Sequence, residues 1–387
     1  MKYFFAYETS RSEGLITYDS VSEGISIYGK RNYLLLFGQF DEKIQLKIPF
    51  EFDNKSDTFE IYFNRLRNYN HLEIESKSNC FIRIDAIIID DPKIDLPGPK
   101  INNLPYRFVI GHRGAGNNQI AHDFLENSIP SFLEAYKNGA RCVEMDVQLA
   151  NGGIPIVIHP FLVNLPNKSA TGRDPIKIDE KGNYLYCNQD ITVEEHQKSG
   201  LNTEYKTMRC TYSEVLTQLP EDLSFLTEVK YPCSQELEKM IPFEERNAYV
   251  DILLKELKEN GKNRTVILGS FDPTLVISFA VRQQRYHVAL LINPANGEDL
   301  SHVRDRIRTF LPLLEKLGIS FISTDPRNLL PECEIITEAS KRNIRFMTYY
   351  YLQQTKEYYE MLMNQGIASI ISDYIQPYNE AVKKLKK

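Results

Sequence analysis

Short apolar runs alternate with longer amphipathic stretches along residues 106–387. The apolar runs lie at 108–111, 142–149, 154–158, 225–229, 265–270, 287–292, 319–323, 345–350 and 369–372. Stretches long enough for a helix separate most of them, at 128–138, 247–260, 273–284, 301–317, 332–342 and 355–365. Alternation of strands with helices predicts an α/β fold built on a parallel sheet.

The nine runs exceed the eight strands of a closed (β/α)8 barrel by one. The link between the second and third runs, Ala150-Asn151-Gly152-Gly153, is too short for a parallel crossover. Because Asn-Gly is a strong hairpin signal, we interpret 154–158 as the returning arm of a hairpin. The other eight runs then fit a barrel, in which active groups gather at the carboxyl ends of the strands. The hairpin arm would carry His159 over that end.

The first part of the chain has a different pattern. Eight β-rich runs separated by turn residues lie at 3–7, 15–18, 25–28, 33–37, 44–52, 59–63, 72–74 and 80–89. They predict a small all-β, sandwich-like domain over residues 1–89. Residues 90–105 contain four prolines and are typical of a stiff linker, which leaves 106–387 as the barrel domain. Within that domain, the polar segment at about 160–224 is predicted to be an insertion above the barrel mouth.

Composition and charge exclude several classes of protein. The 387 residues are 42% hydrophobic and carry a net charge of −6 without a basic stretch, which argues against nucleic-acid binding. No segment approaches the about 20 apolar residues that cross a bilayer, and the apolar run after Met1 is too short for a signal peptide. We expect reduced thiols and a cytoplasmic protein, because six dispersed cysteines form no Cys-x-x-Cys pair: Cys80, Cys142, Cys187, Cys210, Cys233 and Cys333.

Glu144 and Asp146 are the clearest candidates for chemistry. They alternate with apolar residues, so both carboxylates project from one face of a strand, opposite Val143 and Met145. Two carboxylates held this close repel each other unless a cation lies between them or one is protonated. Oxygen ligands suit Mg²⁺ or Ca²⁺ better than Zn²⁺. A solvated strand face is the alternative interpretation.

Polar groups also end three other runs. His112 and Arg113 follow the first run in a turn bracketed by glycines, and His159 follows the hairpin arm. Histidine can serve as a base near neutral pH, and arginine presents a planar group that binds phosphate oxygens. A cap or a salt bridge would also account for His112 and Arg113.

Glu228 and Lys230 share one face at the end of the run 225–229. They have the positions required of a third metal ligand and a second phosphate contact, although a buried Glu–Lys pair would explain them equally well in isolation. The four run ends together favour a metal-dependent site that cleaves phosphodiesters.

These residues, in this order, resemble the glycerophosphodiester phosphodiesterase family. The similarity covers about residues 106–380. The matching segments are His112-Arg113-Gly114, Glu126-Asn127-Ser128, Gly139-Ala140, Glu144-Met145-Asp146-Val147, Ile156-Val157-Ile158-His159, Glu228-Val229-Lys230, Ser270-Phe271-Asp272, Gly366-Ile367 and Ile370-Ile371-Ser372-Asp373. The resemblance implies a (β/α)8 barrel that hydrolyses glycerophosphodiesters to glycerol 3-phosphate and an alcohol, a reaction of lipid and glycerol metabolism, with one divalent cation, Mg²⁺ or Ca²⁺.

The resemblance also implies a role for each matching residue. The acid/base pair would be His112 and His159, with His112 removing the proton of the nucleophile and His159 protonating the leaving alcohol. The metal ligands would be Glu144, Asp146 and Glu228, and the phosphate contacts Arg113 and Lys230. Glu126 and Asn127 are expected to support the first loop rather than to take part in chemistry.

Two positions depart from the family pattern. Pro160 stands where the family usually has Asp after the second histidine, and Ala150-Asn151-Gly152-Gly153 replaces a Thr-Lys-Asp-Gly turn. Pro160 removes a carboxylate and an N–H beside His159 and restricts the local backbone. We expect reduced rather than lost activity. The alternatives are a phospholipase D-like cleavage of lysophospholipids and a barrel that binds phosphodiesters without cleaving them.

The head group and the N-terminal domain are less well defined by the sequence. Tyr349 and Tyr350 end a predicted strand and could hold a quaternary ammonium by cation–π attraction, which would suit glycerophosphocholine. Packing within the barrel is the alternative role. Some relatives carry a starch-binding-type sandwich before the barrel, but this chain has no Trp to stack on sugars. A structural role or contact with a protein is therefore preferred over contact with carbohydrate for the N-terminal domain.

Overall fold

The computed structural model describes residues 2–11, 17–18, 25–29, 34–39, 45–52, 55–62, 71–76, 80–90, 107–118, 123–232, 245–294, 299–330, 333–349 and 355–385. Eight antiparallel strands come first: β1 Lys2–Arg11, β2 Thr17–Tyr18, β3 Ile25–Gly29, β4 Leu34–Gln39, β5 Gln45–Phe52, β6 Lys55–Tyr62, β7 His71–Glu75 and β8 Phe81–Asp90. They form two sheets, ordered β3-β4-β1-β8-β7 and β2-β5-β6. The expected all-β region before the barrel is confirmed.

Eight parallel strands then close into a barrel. They are β9 Phe108–Gly111, β10 Cys142–Ala150, β15 Ser224–Val229, β16 Val266–Ser270, β17 His287–Ile292, β18 Phe321–Thr324, β19 Arg345–Thr348 and β20 Ser369–Ser372. Each pairs with the next, and β9 pairs with both β20 and β10, which completes the ring. The helices between and after them are α1 Ile129–Lys137, α3 Tyr212–Gln218, α4 Arg246–Asn260, α5 Pro273–Arg282, α6 Leu300–Lys316, α7 Glu334–Ser340, α8 Lys356–Asn364 and α9 Ile375–Leu385. The predicted (β/α)8 barrel is confirmed.

Side chains alternate between the inside and the outside of the barrel wall. Val143, Met145 and Val147 belong to the core between the strands and the outer helices. Cys142 instead packs inside the barrel, with Leu226 of the neighbouring strand. Because residues two apart share a face, the strand places Glu144 and Asp146 inside as well.

The predicted hairpin is also present. Strand β11, Ile154–Val157, runs antiparallel to β10, with Val157 opposite Val147. Strand β9 ends at Gly111, opposite Val143, so the second half of β10 extends beyond it. The hairpin arm pairs with that second half and places His159 at the carboxyl end of the barrel.

The predicted insertion has secondary structure of its own. It contains β12 Leu162–Leu165, β13 Lys177–Ile178 and β14 Tyr184–Cys187, which form a sheet of order β12-β14-β13. A short 3₁₀ turn at Asn188–Asp190 and the helix α2, Val193–Ser199, follow. The small sheet packs around its own core, Val163, Leu165, Tyr186 and Ile191.

The five-stranded N-terminal sheet packs against the barrel. Phe5, Phe37 and Ile87 are buried in the same core cluster as the outer helices. Asn247 at the start of α4 donates a hydrogen bond from Nδ2 to the Ile88 carbonyl at 3.0 Å. The sheet therefore packs over the outer helices on one side of the barrel. The boundaries of the two domains stay a prediction.

A Phe5→Ala substitution is expected to destabilise the sheet and the barrel together. Phe5 is fully buried, and truncating such a side chain costs about 3–5 kcal/mol. Urea unfolding followed by far-UV circular dichroism would measure the loss. Ile178→Ala is the control, because Ile178 is 56% exposed and its truncation should change stability by less than about 0.5 kcal/mol. A barrel that unfolds at its wild-type midpoint in Phe5→Ala would contradict the shared core.

Two further findings concern compartment and membrane. Within the described part of the chain, no helix is both long and apolar enough to cross a membrane. Free thiols are found at Cys80, Cys142, Cys187, Cys210 and Cys333, and Cys233 lies outside the described residues.

Candidate active site

Three carboxylates meet at the carboxyl end of the barrel. Glu144, Asp146 and Glu228 each offer one oxygen atom, and these atoms lie within 4.8 Å of one another. Asp146 and Glu228 are neighbours in the register of β10 and β15. Oδ1 of Asp146 is buried and accepts no hydrogen bond from the described residues. An oxygen-only donor set with a buried, unsatisfied oxygen fits a hard divalent cation.

Burial and mutual repulsion set the charges of this cluster. Burial, together with the negative charges of Asp146 and Glu228, raises the pKa of Glu144 well above its ordinary value. Burial also raises the pKa of Glu228, although Lys230 opposes the shift. Burial would raise the pKa of Asp146 too, but Lys230, His159 and Arg113 outweigh it and lower that pKa to about 2. Asp146 is therefore ionised at neutral pH, and a bound cation would oppose the upward pKa shifts of Glu144 and Glu228 by favouring their ionised forms.

The loop after β9 is built around Arg113. The Arg113 backbone has a positive φ of 49°, and its N–H donates to Glu144 Oε2 at 2.8 Å. The guanidinium donates from Nη1 to both Glu126 oxygens at 3.1 Å, and its Nε lies 3.4 Å from Asp146 Oδ2. The salt bridge considered as an alternative for Arg113 is thus present, and it holds the guanidinium beside the three carboxylates.

Asn127 connects this loop to Asp146, one of the three carboxylates. Its Nδ2 donates to Asp146 Oδ2 at 2.8 Å, and the Asp146 N–H donates back to Asn127 Oδ1 at 3.1 Å. The Asn127 N–H donates to the Arg113 carbonyl at 3.0 Å. Asn127 and Glu126 therefore lie where the sequence predicted a support for the first loop.

His112 is held by a carboxylate from the far end of the chain. Its Nδ1 donates to Asp373 Oδ1 at 2.8 Å, and Asp373 also accepts from Asn117 N–H at 2.8 Å and from Asn117 Nδ2 at 2.9 Å. The Asp373 side chain is fully buried. No role was predicted for Asp373, although an acidic residue directly after the last barrel strand could have indicated one.

An Asp373→Asn variant is expected to lower kcat by about 10- to 1000-fold, because an amide presents the wrong group to Nδ1–H and turns the ring or its tautomer. Initial rates with a phosphodiester substrate would measure the loss. Asn117→Ala is the control, since it removes the hydrogen bond from Asn117 Nδ2 to Asp373 and spares the histidine contact. Equal losses in both variants would contradict a specific effect on His112.

His159 is half-buried at the end of the hairpin arm. Burial lowers its pKa to about 4, and Lys230 and Arg113 add to the shift against the opposing charge of Asp146. The imidazole is therefore neutral at pH 7. The charges of Asp146, Lys230 and Arg113 all act on the imidazole, so His159 lies near the three carboxylates.

Lys230 lies between the carboxylates and an aromatic ring. Its Nζ is 3.3 Å from Glu228 Oε1, 3.6 Å from Asp146 Oδ1 and 5.1 Å from the centre of the Phe161 ring. The Glu–Lys pair considered from the sequence is present, and it is part of the cluster rather than a separate feature.

Tyr349 lies inside the barrel and Tyr350 lies outside the described residues. The Tyr349 hydroxyl donates to the Ile292 carbonyl at 2.7 Å and to Asn293 Oδ1 at 2.6 Å, and its ring meets Phe271 edge to face at 5.8 Å. Burial raises the pKa of Tyr349, and the charge of Glu228 adds to this rise. These contacts are those of a packed side chain at the edge of the site.

Comparison with known proteins decides the family. The model of the glycerophosphoryl diester phosphodiesterase family matches residues 112–376, from His112 to the residues just after Asp373. The chain belongs to this family. The phosphodiesterase match thus covers all the residues that the structure gathers at the barrel mouth.

Curated relatives agree with the family. A glycerophosphocholine phosphodiesterase of Homo sapiens is 26% identical over 299 residues, which is 69% of this chain and 43% of the human protein. This chain therefore spans less than half the length of that relative. A glycerophosphodiester phosphodiesterase of Arabidopsis thaliana is 23% identical over 312 residues, which is 76% of this chain and 82% of the plant protein.

Solved structures share the fold of the phosphodiesterase barrel. The glycerophosphodiester phosphodiesterase of Thermotoga maritima superposes with a TM-score of 0.50 at 21% identity, over 71% of this chain and 97% of its own. A phosphodiesterase of Oleispira antarctica, solved with the product sn-glycerol-3-phosphate, has a TM-score of 0.50 at 17% identity, over 71% and 96% of the two chains.

Proposed function

We propose that the protein hydrolyses glycerophosphodiesters to glycerol 3-phosphate and an alcohol. The observation that carries the proposal is the set of three carboxylates, two histidines and two cationic side chains at the mouth of a closed barrel. Family membership and the names of the curated relatives support it. The product bound to the Oleispira antarctica phosphodiesterase supports the same reaction.

Glu144, Asp146 and Glu228 would hold one divalent cation, Mg²⁺ or Ca²⁺. When bound, the cation supplies positive charge that stabilises the phosphate group as its bonds change. Arg113 and Lys230 would contribute fixed positive charge to the non-bridging oxygens from the two sides of Asp146.

The two histidines would exchange protons with the nucleophile and the leaving group. His159 is neutral at pH 7, because burial and two cations lower its pKa to about 4. It is suited to accept the proton of the attacking hydroxyl or water. His112 Nδ1 donates a hydrogen bond to the carboxylate of Asp373, which fixes the orientation of the ring. With His159 as the proton acceptor, His112 would be the donor to the leaving alcohol, the reverse of the division expected from the resemblance.

The bond that breaks would be the one between phosphorus and the oxygen of the head-group alcohol. The nucleophile loses its proton to His159 as its oxygen bonds to phosphorus, and the departing alkoxide takes a proton from His112. Attack by water gives glycerol 3-phosphate and the free alcohol directly. Attack by the adjacent glycerol hydroxyl gives the free alcohol and a cyclic phosphate, which a water must then open to glycerol 3-phosphate. Analysis of glycerophosphocholine digests by ³¹P NMR would test this assignment, since phosphocholine and glycerol as products would contradict it. Release of lysophosphatidate from lysophospholipids, with no cleavage of glycerophosphocholine, would favour the phospholipase D-like alternative.

For the head group we propose choline. The names of the glycerophosphocholine relatives support it, as do the rings of Phe161, Phe271 and Tyr349 around the site. Turnover of the choline, ethanolamine and inositol diesters would be compared at equal concentration. Equal rates on all three would contradict a choline preference.

We also propose a role for the N-terminal domain and a cellular compartment for the protein. The buried face of the N-terminal sheet supports a bracing role for that domain, in contact with the barrel itself. The dispersed free thiols support a reducing, cytoplasmic setting.

A further inference from the structure

Gln148 is a buried amide on the catalytic face of β10. It lies two residues beyond Asp146 and is only 2% exposed. Its Nε2 contacts three successive carbonyl oxygens, at 2.9 Å from Ile158, 3.1 Å from His159 and 3.0 Å from Pro160. The Gln148 side chain, on the same strand as Glu144 and Asp146, thus holds the main chain on both sides of His159.

Asn188 completes this arrangement from the insertion. Its Nδ2 donates to Gln148 Oε1 at 2.9 Å and to the Pro160 carbonyl at 2.8 Å. Its backbone N–H donates to the Phe161 carbonyl at 3.2 Å. The carbonyls of residues 158–161 are therefore all held by these two buried residues, and Phe161 in turn lies against Lys230.

Pro160 explains why such support matters here. Proline offers no N–H and no polar side chain, so the segment after His159 is held through its carbonyl oxygens. Burying two amides is costly unless they are hydrogen-bonded, and the donors of these amides go to this one segment and, from Asn188, to Gln148 itself. Packing alone would be served as well by apolar side chains of similar size.

We propose that Gln148 and Asn188 form a clamp that positions the His159 imidazole for proton transfer. They are positioning residues, which act through His159 and not on the substrate. The clamp also ties the insertion to the catalytic strand, because Asn188 lies in the 3₁₀ turn before α2. The inference rests on the proposed function, in which His159 transfers a proton.

The test uses the full chain with Asn188→Ala and, as a second variant that retains the volume of the side chain, Gln148→Met. Each variant is expected to lower kcat for glycerophosphocholine about 10- to 100-fold, as loss of groups that orient a catalytic residue does. KM and the dissociation constant of Mg²⁺ should change less than about threefold, since the metal ligands keep their own partners. In a His159→Ala background, neither substitution should lower kcat further, because nothing remains to be positioned. Asn183→Ala is the matched control, since Asn183 bonds to Asp179 within its own hairpin.

Histidine-selective NMR separates the clamp from the proposed function. In Asn188→Ala, the His159 ring signals are expected to broaden or split while those of His112 stay in place. If the wild type cleaves no glycerophosphodiester, the proposed function fails and this readout still tests the clamp. Three results would each overturn the inference. The His159 signals could stay unchanged, or the substitutions could lower kcat as much in the His159→Ala background as in the wild type. KM and Mg²⁺ affinity could also change as much as kcat.

Discussion

Glu144→Gln is expected to abolish detectable hydrolysis and at the same time to stabilise the metal-free protein above pH 5. The substitution removes one of three carboxylates that lie within 4.8 Å of one another, and cation affinity should fall by about 100-fold or more. The amide oxygen can still accept the hydrogen bond from Arg113 N–H, so the loop after β9 should keep its place. Loss of function and gain of stability from one change would identify a site built for a cation.

The stability change follows from the raised pKa of Glu144. Burial and two neighbouring carboxylates keep this group protonated in the folded protein at pH values where the unfolded chain has released the proton. The metal-free protein should therefore lose stability as pH rises above the ordinary glutamate value, by up to about 1.4 kcal/mol per pH unit for one such group. Glu144→Gln should flatten this decline, and saturating Mg²⁺ or Ca²⁺ should offset it in the wild type.

Thermal unfolding in EDTA between pH 5 and 9 would measure the effect. Glu194→Gln is the control, since it makes the same charge change at a side chain that is 73% exposed. A Glu144→Gln variant that is less stable than the wild type at pH 8 in EDTA, or that still turns over with Mg²⁺, would contradict the metal site.

His112→Ala is expected to lower kcat for glycerophosphocholine by about 10²- to 10⁴-fold, the size of a general acid contribution. The loss should shrink to less than about tenfold with the 4-nitrophenyl ester of glycerol 3-phosphate, because nitrophenolate leaves without a proton. His159→Ala should lose similar factors on both substrates, because the base serves the nucleophile whichever group leaves.

Steady-state rates on the two substrates would decide between the two divisions of roles. His302→Ala is the control, an exposed histidine on α6 that should leave both rates unchanged. The opposite result would be a large loss on both substrates in His112→Ala, with rescue of His159→Ala by the nitrophenyl ester. It would restore the roles expected from the resemblance, with His112 as the base and His159 as the acid.

Much of the barrel could be predicted because its strands are buried on both faces. Such strands are continuous apolar runs, and 108–111, 287–292 and 369–372 coincide with β9, β17 and β20 to the residue. Period-2 alternation also identified which side chains of β10 face inward, which is why Glu144 and Asp146 were found together. The short Asn-Gly turn predicted that the run 154–158 is a hairpin arm, and β11 is that arm.

The partners of the catalytic groups could not be predicted in the same way. Periodicity indicates the face of a strand on which a residue lies, but not which residue meets it across the barrel. Asp373 reaches His112 from 261 positions away, and Asn188 reaches Gln148 from 40 positions away. The sheet within the insertion was missed because its strands are only two to four residues long and pack around a core of four residues. The hydroxyl contacts of Tyr349 likewise depend on tertiary packing.

Release of glycerol 3-phosphate from glycerophosphocholine is the most direct test for a cation-dependent phosphodiesterase. Purified protein would be assayed with Mg²⁺, with Ca²⁺ and with EDTA, beside the Glu144→Gln variant. We expect release with at least one of the two cations, none in EDTA, and none from the variant. Release that persists undiminished in EDTA and in Glu144→Gln would contradict a catalytic cation at this site, and no release under any condition would contradict the proposed reaction.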